Sequence, residues 1–241
     1  MSAIPWLILP TYNEAENIEL LASQAAEVLA EASPDGFRVL IVDDGSPDGT
    51  GQLADKLASA HEQIEVLHRT TRAGLGPAYL AGFKHALDGG AGFVMEMDSD
   101  FSHDPRDIPR LLKAVRDDGA DLALGSRYVS GGGIEDWSLQ RRVISRGGSL
   151  YARTILGLPI NDLTGGFKAF RAEVLRAIDL PSVESVGYAF QIELTYRTVK
   201  RGYKVVEVPI VFRDRVAGTS KMTWNITAEA AWLVPAMRLR R

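Results

Sequence analysis

At 241 residues, 46% hydrophobic and 24% charged, the chain can bury one large core, which excludes a disulfide-stapled miniprotein and a disordered tail. A net charge of -4 argues against general nucleic-acid binding, and the absence of cysteine excludes disulfides and thiolate metal sites. Any metal must use oxygen ligands or the 4 histidines, which favours a hard cation.

No apolar run approaches the about 18 residues of a membrane span, and the opening MSAIPWLILPTYNE lacks the basic region and cleavage site of a signal peptide. The expectation is a cytoplasmic protein in a reducing compartment, with no transmembrane domain. The first half alternates apolar runs with helical patterns, the signature of an α/β sheet covered by helices. Strands are expected at 4–9, 38–42, 64–68, 93–97 and 121–124, with helices at 14–32, 50–60, 77–87 and 105–118. Beyond residue 126, YVSGGGIEDW reads as a mobile glycine-rich loop, and 138–158 as an amphipathic helix. A turn and short strand in DLTGGFKAFR, a helix at 188–200 and an alternating strand at 204–212 follow. Pro235 is expected to interrupt a continuous C-terminal helix. No repeat, low-complexity segment or linker divides the chain, so a single domain is expected.

In open α/β sheets ligands gather beyond the carboxyl ends of the strands, and four polar clusters fall there: PTYNE, DDGSPDGT, DSDFSH and GSRY. Within DSD, residues spaced i and i+2 on an extended chain point to one side, so Asp98 and Asp100 present two like charges to one place, where a cation is needed. An isolated D-x-D is more often an acidic turn; the recurrence of polar clusters along one edge makes it a site. Asp43 directly follows an apolar strand and could accept hydrogen bonds from a base or ribose. Pro47, Asp48 and Gly49 read equally well as turn residues, with Thr50 capping the next helix. His103 reads as a capping or core residue ahead of a metal ligand. Residues 138–156 carry Arg141, Arg142, Arg146 and Arg153 with no acid, either a solvated face or a surface for phosphate or membrane.

PTYNE at 10–14, VDDGSPDGT at 42–50, DSD at 98–100, GSRYVSGGG at 125–133 and FRDRVAGTSKM at 212–222 occur in order across nearly the whole chain. The set resembles family 2 glycosyltransferases and, more narrowly, the dolichol- or polyprenol-phosphate mannose synthases. The resemblance implies a GT-A fold, a Rossmann-like arrangement with a mixed central sheet and helices on both faces. Residues 1–126 would then be a nucleotide-binding half, and 127–241 an acceptor-binding half with a membrane-interface helix. It implies Mg²⁺ or Mn²⁺ and inverting transfer of mannose from GDP-mannose to dolichyl or polyprenyl monophosphate. By motif position, Pro10, Tyr12, Glu14, Ile41, Asp43 and Ser99 are implied nucleotide contacts. Asp98, Asp100 and Ser102 are the implied metal set, with Ser102 standing where some relatives carry glutamine. Arg127, Arg141, Ser145, Arg215 and Lys221 fall where the family binds donor or acceptor phosphate: Arg127, Arg141 and Ser145 on the acceptor, and Arg127, Arg215 and Lys221 on the donor. Asp100, Arg127 and Arg141 are the implied catalytic residues. Some relatives carry spanning helices after the catalytic domain, so peripheral attachment at the cytoplasmic face, with or without a membrane-anchoring partner, is the corresponding expectation.

The chemistry is coherent independently of the resemblance. A lipid phosphate is already anionic near neutral pH, so its attack needs a cationic cradle and no dedicated base. Arginine suits that task by gripping phosphate with paired hydrogen bonds. Val216 to Met222 reads as a loop closing over bound donor. The rivals are UDP-glucose as donor, or a saccharide acceptor with Asp162 or Glu193 as base. A nucleotide-binding module without catalysis would not need a metal beside a phosphate cradle. A dinucleotide dehydrogenase is disfavoured because DDGSPDGT lacks G-x-G-x-x-G.

Overall fold

The structure is a computed structural model describing residues 3–183, 185, 187–214 and 224–239, without the side chains of Tyr188 and residues 224–231. Its centre is a seven-stranded sheet: β1 (Pro5–Thr11), β2 (Arg38–Asp43), β3 (Ile64–His68), β4 (Phe93–Glu96), β5 (Leu122–Ser126), β7 (Lys168–Arg171) and β8 (Val205–Pro209). Their order is β3-β2-β1-β4-β7-β5-β8, and β7 alone runs antiparallel to its neighbours β4 and β5. A separate pair joins β6 (Gly133–Ile134) to β9 (Val211–Phe212) in parallel. The mixed sheet agrees with the fold expected.

The central strands are apolar throughout because both faces are covered, as parallel sheets require. Along β1 the pleat sends Leu7 and Leu9 to one core and Trp6 and Ile8 to the other. The first core is closed by α1 (Ile18–Ala32), α2 (Thr50–Ala60) and α4 (Ile108–Arg116). The second lies under α3 (Leu75–Asp88), α6 (Ala172–Ala177) and α7 (Gly187–Lys200). A third cluster joins α5 (Leu139–Leu156), α7 and α8 (Trp224–Leu239) through Ala152, Leu156, Ile192, Val234 and Met237.

Several sequence expectations shift. The first helix begins at Ile18 because Asn13 turns into left-handed backbone at φ 56°, reversing the chain after β1. The single strand expected over 204–212 is two, broken at Ile210, whose N–H donates to Ser126 O as the chain moves from β5 to the small pair. The glycine-rich loop supplies β6. Pro235 lies inside α8 and does not end it. Proline cannot donate to the carbonyl four residues earlier, yet Val234 and Met237 on either side are held in the third cluster, and that packing keeps the helical path. No helix among the described residues is long and apolar enough to cross a membrane.

Candidate active site

The strand order turns outward in opposite directions from β1 and β4, so the crevice beyond their carboxyl ends is the switch point where such sheets bind ligands. PTYNE and DDGSPDGT leave adjacent strands there, with Thr11 paired in register with Asp43. The two loops are tied together: Asn13 N–H donates to Ser46 Oγ at 3.0 Å, Glu14 N–H to Thr50 Oγ1 at 2.9 Å and Ala15 N–H to Asp48 Oδ2 at 3.1 Å. Asp43 is buried and accepts from Ser46 Oγ at 2.5 Å. Glu14 is also buried and accepts from Asn17 Nδ2 at 2.9 Å. Ser99 Oγ donates to Pro10 O at 2.9 Å, fixing the end of β4 to the end of β1. The Arg72 guanidinium lies 4.0 Å over the Tyr12 ring, a cation–π contact on the loop that follows β1.

Two nucleotide-side expectations change. Ile41 is fully buried in the first core, in register with Leu9 and Val66, so its side chain packs there instead of facing the crevice. The two-residue period puts Ile41 on the same face as Asp43, but Ile41 lies back from the strand end, where that face is covered by the first core. Gly49, at φ 95°, takes the N-cap position of α2 in place of Thr50. Asp48 accepts from Thr50 N–H at 3.1 Å and Thr50 Oγ1 at 2.6 Å. Burial pulls the Asp48 carboxyl upward, but these bonds and the one from Ala15 together hold it below its ordinary value.

DSD leaves β4 directly into this crevice. Asp98 is partly exposed and its Oδ1 accepts from Tyr79 OH at 3.3 Å. Asp100 is buried, and its Oδ1 accepts from Ser102 N–H at 3.1 Å and Ser102 Oγ at 2.5 Å. Burial and the Asp98 charge push the Tyr79 hydroxyl well above its ordinary pKa, so it stays a proton donor to the carboxylate. The fully buried His103 ring packs against Phe167 and Phe212, with Nε2 3.7 Å from Asp98 Oδ2. That environment makes it a core residue in contact with the site, as the sequence reading favoured.

The donor set fits a hard divalent cation: two carboxylates and a hydroxyl, with no group of three or more His, Cys, Asp or Glu residues that could enclose a metal among the described residues. A Mg²⁺ site of this kind is completed by substrate phosphate and water. Ser102 already donates to Asp100, so its oxygen orients that carboxylate whatever else it ligates.

The basic residues have a different character from the expected open cradle. Arg127 is buried and forms a two-pronged pair with Asp162, Nε to Oδ2 and Nη2 to Oδ1 both at 2.6 Å. Its Nη2 also donates to Thr164 Oγ1 at 2.8 Å. Arg141 Nη1 donates to Asp214 Oδ1 at 2.7 Å, and its guanidinium lies 4.0 Å from the Trp137 ring centre. Ser145 Oγ accepts from Tyr128 OH at 2.8 Å. Tyr128 in turn lies under Arg127, so Arg127, Arg141 and Ser145 are gathered around one aromatic cluster. Arg215 and Lys221, together with the whole of the expected closing loop at 216–222, lie outside the described residues. The two candidate bases are both engaged: Asp162 by Arg127, and Glu193 by Arg197 and Ser185.

Sequence reasoning missed a buried polar group beneath the acidic turn. Glu96 and Lys168 face each other across β4 and β7, and Lys168 Nζ lies 3.0 Å from Glu96 Oε1 with both side chains wholly buried. Lys168 Nζ also donates to Gln191 O at 3.2 Å and to Gln191 Oε1. Burial pushes the Glu96 carboxyl up to about 7 against the pull of Lys168, and burial pulls the Lys168 ammonium down. The signal available was an acid in the apolar run FVMEM and a lysine in GFKAF. Pairing needed the antiparallel register, which neither segment encodes alone.

Residues 6–179 match the family described as Glycosyl transferase family 2. The chain is 48% identical over 235 residues to a polyprenol monophosphomannose synthase of Mycolicibacterium smegmatis, covering 97% of this chain and 86% of that one. It is 49% identical over 223 residues to an undecaprenyl-phosphate mannosyltransferase of Micrococcus luteus, covering 92% and 89%. Among solved structures, glucosyl-3-phosphoglycerate synthase of Mycobacterium tuberculosis, in complex with Mn²⁺, UDP and glucosyl-3-phosphoglycerate, has the same fold. It superposes with a TM-score of 0.69 at 20% identity over 99% of this chain and 79% of that one. The same enzyme with Mg²⁺ and UDP gives a TM-score of 0.67 at 20% identity, covering 99% and 79%. With the switch-point crevice, the acidic turn and a family match covering the strands that border them, this chain belongs to glycosyltransferase family 2.

Proposed function

We propose that the chain transfers mannose from GDP-mannose to a polyprenyl or dolichyl monophosphate, releasing GDP and inverting the anomeric carbon. The observation that carries this is near-half identity, over most of both chains, to two relatives named for polyprenol- or undecaprenyl-phosphate mannose synthesis. The side-chain arrangement supports a phosphate acceptor over a saccharide hydroxyl, because Asp162 and Glu193 are both held by arginines. An anionic phosphate oxygen attacks without proton removal, forming its bond to the anomeric carbon as the bond to the diphosphate breaks, and the electron pair leaves with GDP.

In this reading Tyr12, Glu14, Asp43 and Ser99 shape the nucleotide side, and Asp98 and Asp100, with Ser102 orienting Asp100, hold Mg²⁺ or Mn²⁺. The bound ion supplies Lewis-acid stabilisation of the departing diphosphate. Arg127, Arg141 and Ser145 face the acceptor phosphate, which exchanges with Asp214 for Arg141. Arg215 and Lys221 are assigned to donor phosphate by motif position.

The long lipid requires a membrane surface. On α5, Leu139, Val143, Ile144, Leu150 and Tyr151 are exposed beside Arg142, Arg146 and Arg153, and Trp232 and Leu239 are exposed on α8. Apolar side chains flanked by arginines suit the interface of an anionic bilayer. Direct seating on lipid is favoured over reliance on an anchored partner, and the cytoplasmic face follows from a soluble sugar-nucleotide donor.

Incubation with a short polyprenyl phosphate and either GDP-mannose or UDP-glucose, with Mg²⁺, Mn²⁺ or chelator, tests the reading by mass spectrometry of lipid product. Metal-dependent mannosyl lipid, lost in Asp100→Ala, is expected. Glucosyl lipid would replace the donor, and absence of lipid product beside transfer to a saccharide would overturn the acceptor.

A further inference from the structure

Gln191 lies in α7, 2% exposed, and takes no part in the expected site. Its amide orientation is dictated by chemistry. Lys168 Nζ carries donors only, so the Gln191 oxygen must face it, which it does. The amide nitrogen consequently points away from Lys168, and Nε2 is buried without a hydrogen-bond partner among the described residues. An unmet buried amide donor is unfavourable unless a second state satisfies it.

Gly166 lies beside both this amide and the acidic turn. A Cβ built on Gly166 would lie 3.5 Å from Asp98 Oδ1, 3.5 Å from Asp98 Oδ2 and 3.5 Å from Gln191 Nε2. The carboxylate and the amide therefore border one small space, kept clear by the absence of a side chain at Gly166. Asp98 has Tyr79 OH on Oδ1 and His103 Nε2 3.7 Å from Oδ2, both held by packing. Gln191 Nε2 borders the same space as that carboxylate, and Lys168, itself paired with Glu96, holds the amide by its oxygen.

We propose that Gln191 is a positioning residue for the metal site, its Nε2 donating to the Asp98 carboxylate when that carboxylate turns to hold a divalent cation. The inference rests on the assignment of Asp98 to the metal. Carboxylate ligands are commonly held by such outer hydrogen bonds, and their loss typically weakens metal binding by about 10–100-fold. Lys168 acts one step further back, by fixing which end of the amide faces the site.

Gln191→Met keeps the length of the side chain and removes the donor, while Lys168 retains Glu96 Oε1 and the Gln191 backbone carbonyl as acceptors. Gly166→Ala instead adds a methyl group at ordinary contact distance from both amide and carboxylate, in the space they share, without touching the Lys168 contacts. Mn²⁺ affinity in the presence of GDP is read for each by the electron paramagnetic resonance signal of free Mn²⁺, with GDP affinity in chelator and the thermal midpoint alongside. Both variants are expected to bind Mn²⁺ about tenfold or more weakly, with GDP affinity in chelator unchanged. A folded variant of either kind that binds Mn²⁺ within twofold of the parent overturns the inference, and Gly166→Ala decides alone should Gln191→Met not fold. A parent protein that binds no Mn²⁺ with GDP overturns the metal assignment itself, a separate outcome.

Discussion

Arg127 shows how a residue read as a phosphate ligand acquires a structural task. Its pair with Asp162 is buried on both sides, so removing the cation alone strands a carboxylate in the interior. Arg127→Met is expected to lower stability by about 3–5 kcal/mol in denaturant unfolding, and Arg127→Met with Asp162→Asn to recover most of that loss. A full loss of product formation in the stable double variant would then report on the phosphate role separately from folding. Asp48 carries a pH dependence of opposite origin. Its folded-state pKa is depressed below the ordinary 3.8, so the stability it contributes is present above 3.8 and disappears as pH falls through the folded value. Thermal midpoints measured down the acid limb should fall less steeply for Asp48→Asn than for the parent. Asp98, Asp100 and Asp43 were legible in the sequence because each stands where an apolar strand stops. Asp162, Glu96, Lys168 and Gln191 were not legible in these roles, because their partners come from other strands and helices.

At the scale of elements, strands and helices of the first half follow the periodicity closely because each is a local amphipathic or fully apolar segment. The later elements depart from it. Pro235 is accommodated within α8, and the 204–212 segment divides because Ile210 bonds back to β5. Packing of α3 on the sheet gives a direct test of such contacts. A Cβ on Gly82 would fall 2.5 Å from Ile8 Cγ2 and 3.1 Å from Val42 Cγ2, so Gly82→Ala must push the helix off β1 and β2. A loss of about 1–3 kcal/mol in the denaturant midpoint is expected. For α5, reversing charge at Arg142, Arg146 and Arg153 should weaken sedimentation with anionic vesicles while sparing turnover of a short soluble acceptor. Unchanged vesicle binding would move membrane attachment to another surface or a partner.

Across the whole molecule, the site draws on β1, β2, β4 and β5 and on loops separated by more than a hundred residues, so ligand binding should be felt by the global unfolding transition. GDP with Mn²⁺ is expected to raise the thermal midpoint more than either alone, with about 2.7 kcal/mol of stabilisation at a hundredfold excess over the dissociation constant. Equal midpoints with and without the metal would count against a shared metal and diphosphate site. The sequence by itself determined the α/β class, the catalytic family, and the edge of the sheet where the candidate site and its acidic turn fall. These are encoded locally, in apolar runs that end at polar clusters and in motifs contiguous along the chain. Only the tertiary structure decided that Arg127 is paired with buried Asp162, that both candidate bases are engaged, that Ile41 packs in the core and that Gln191 and Asp98 border one space at Gly166. Those facts depend on the register of an antiparallel strand and on helices docking from distant parts of the chain, where geometry in space, and not spacing in sequence, sets which charges meet.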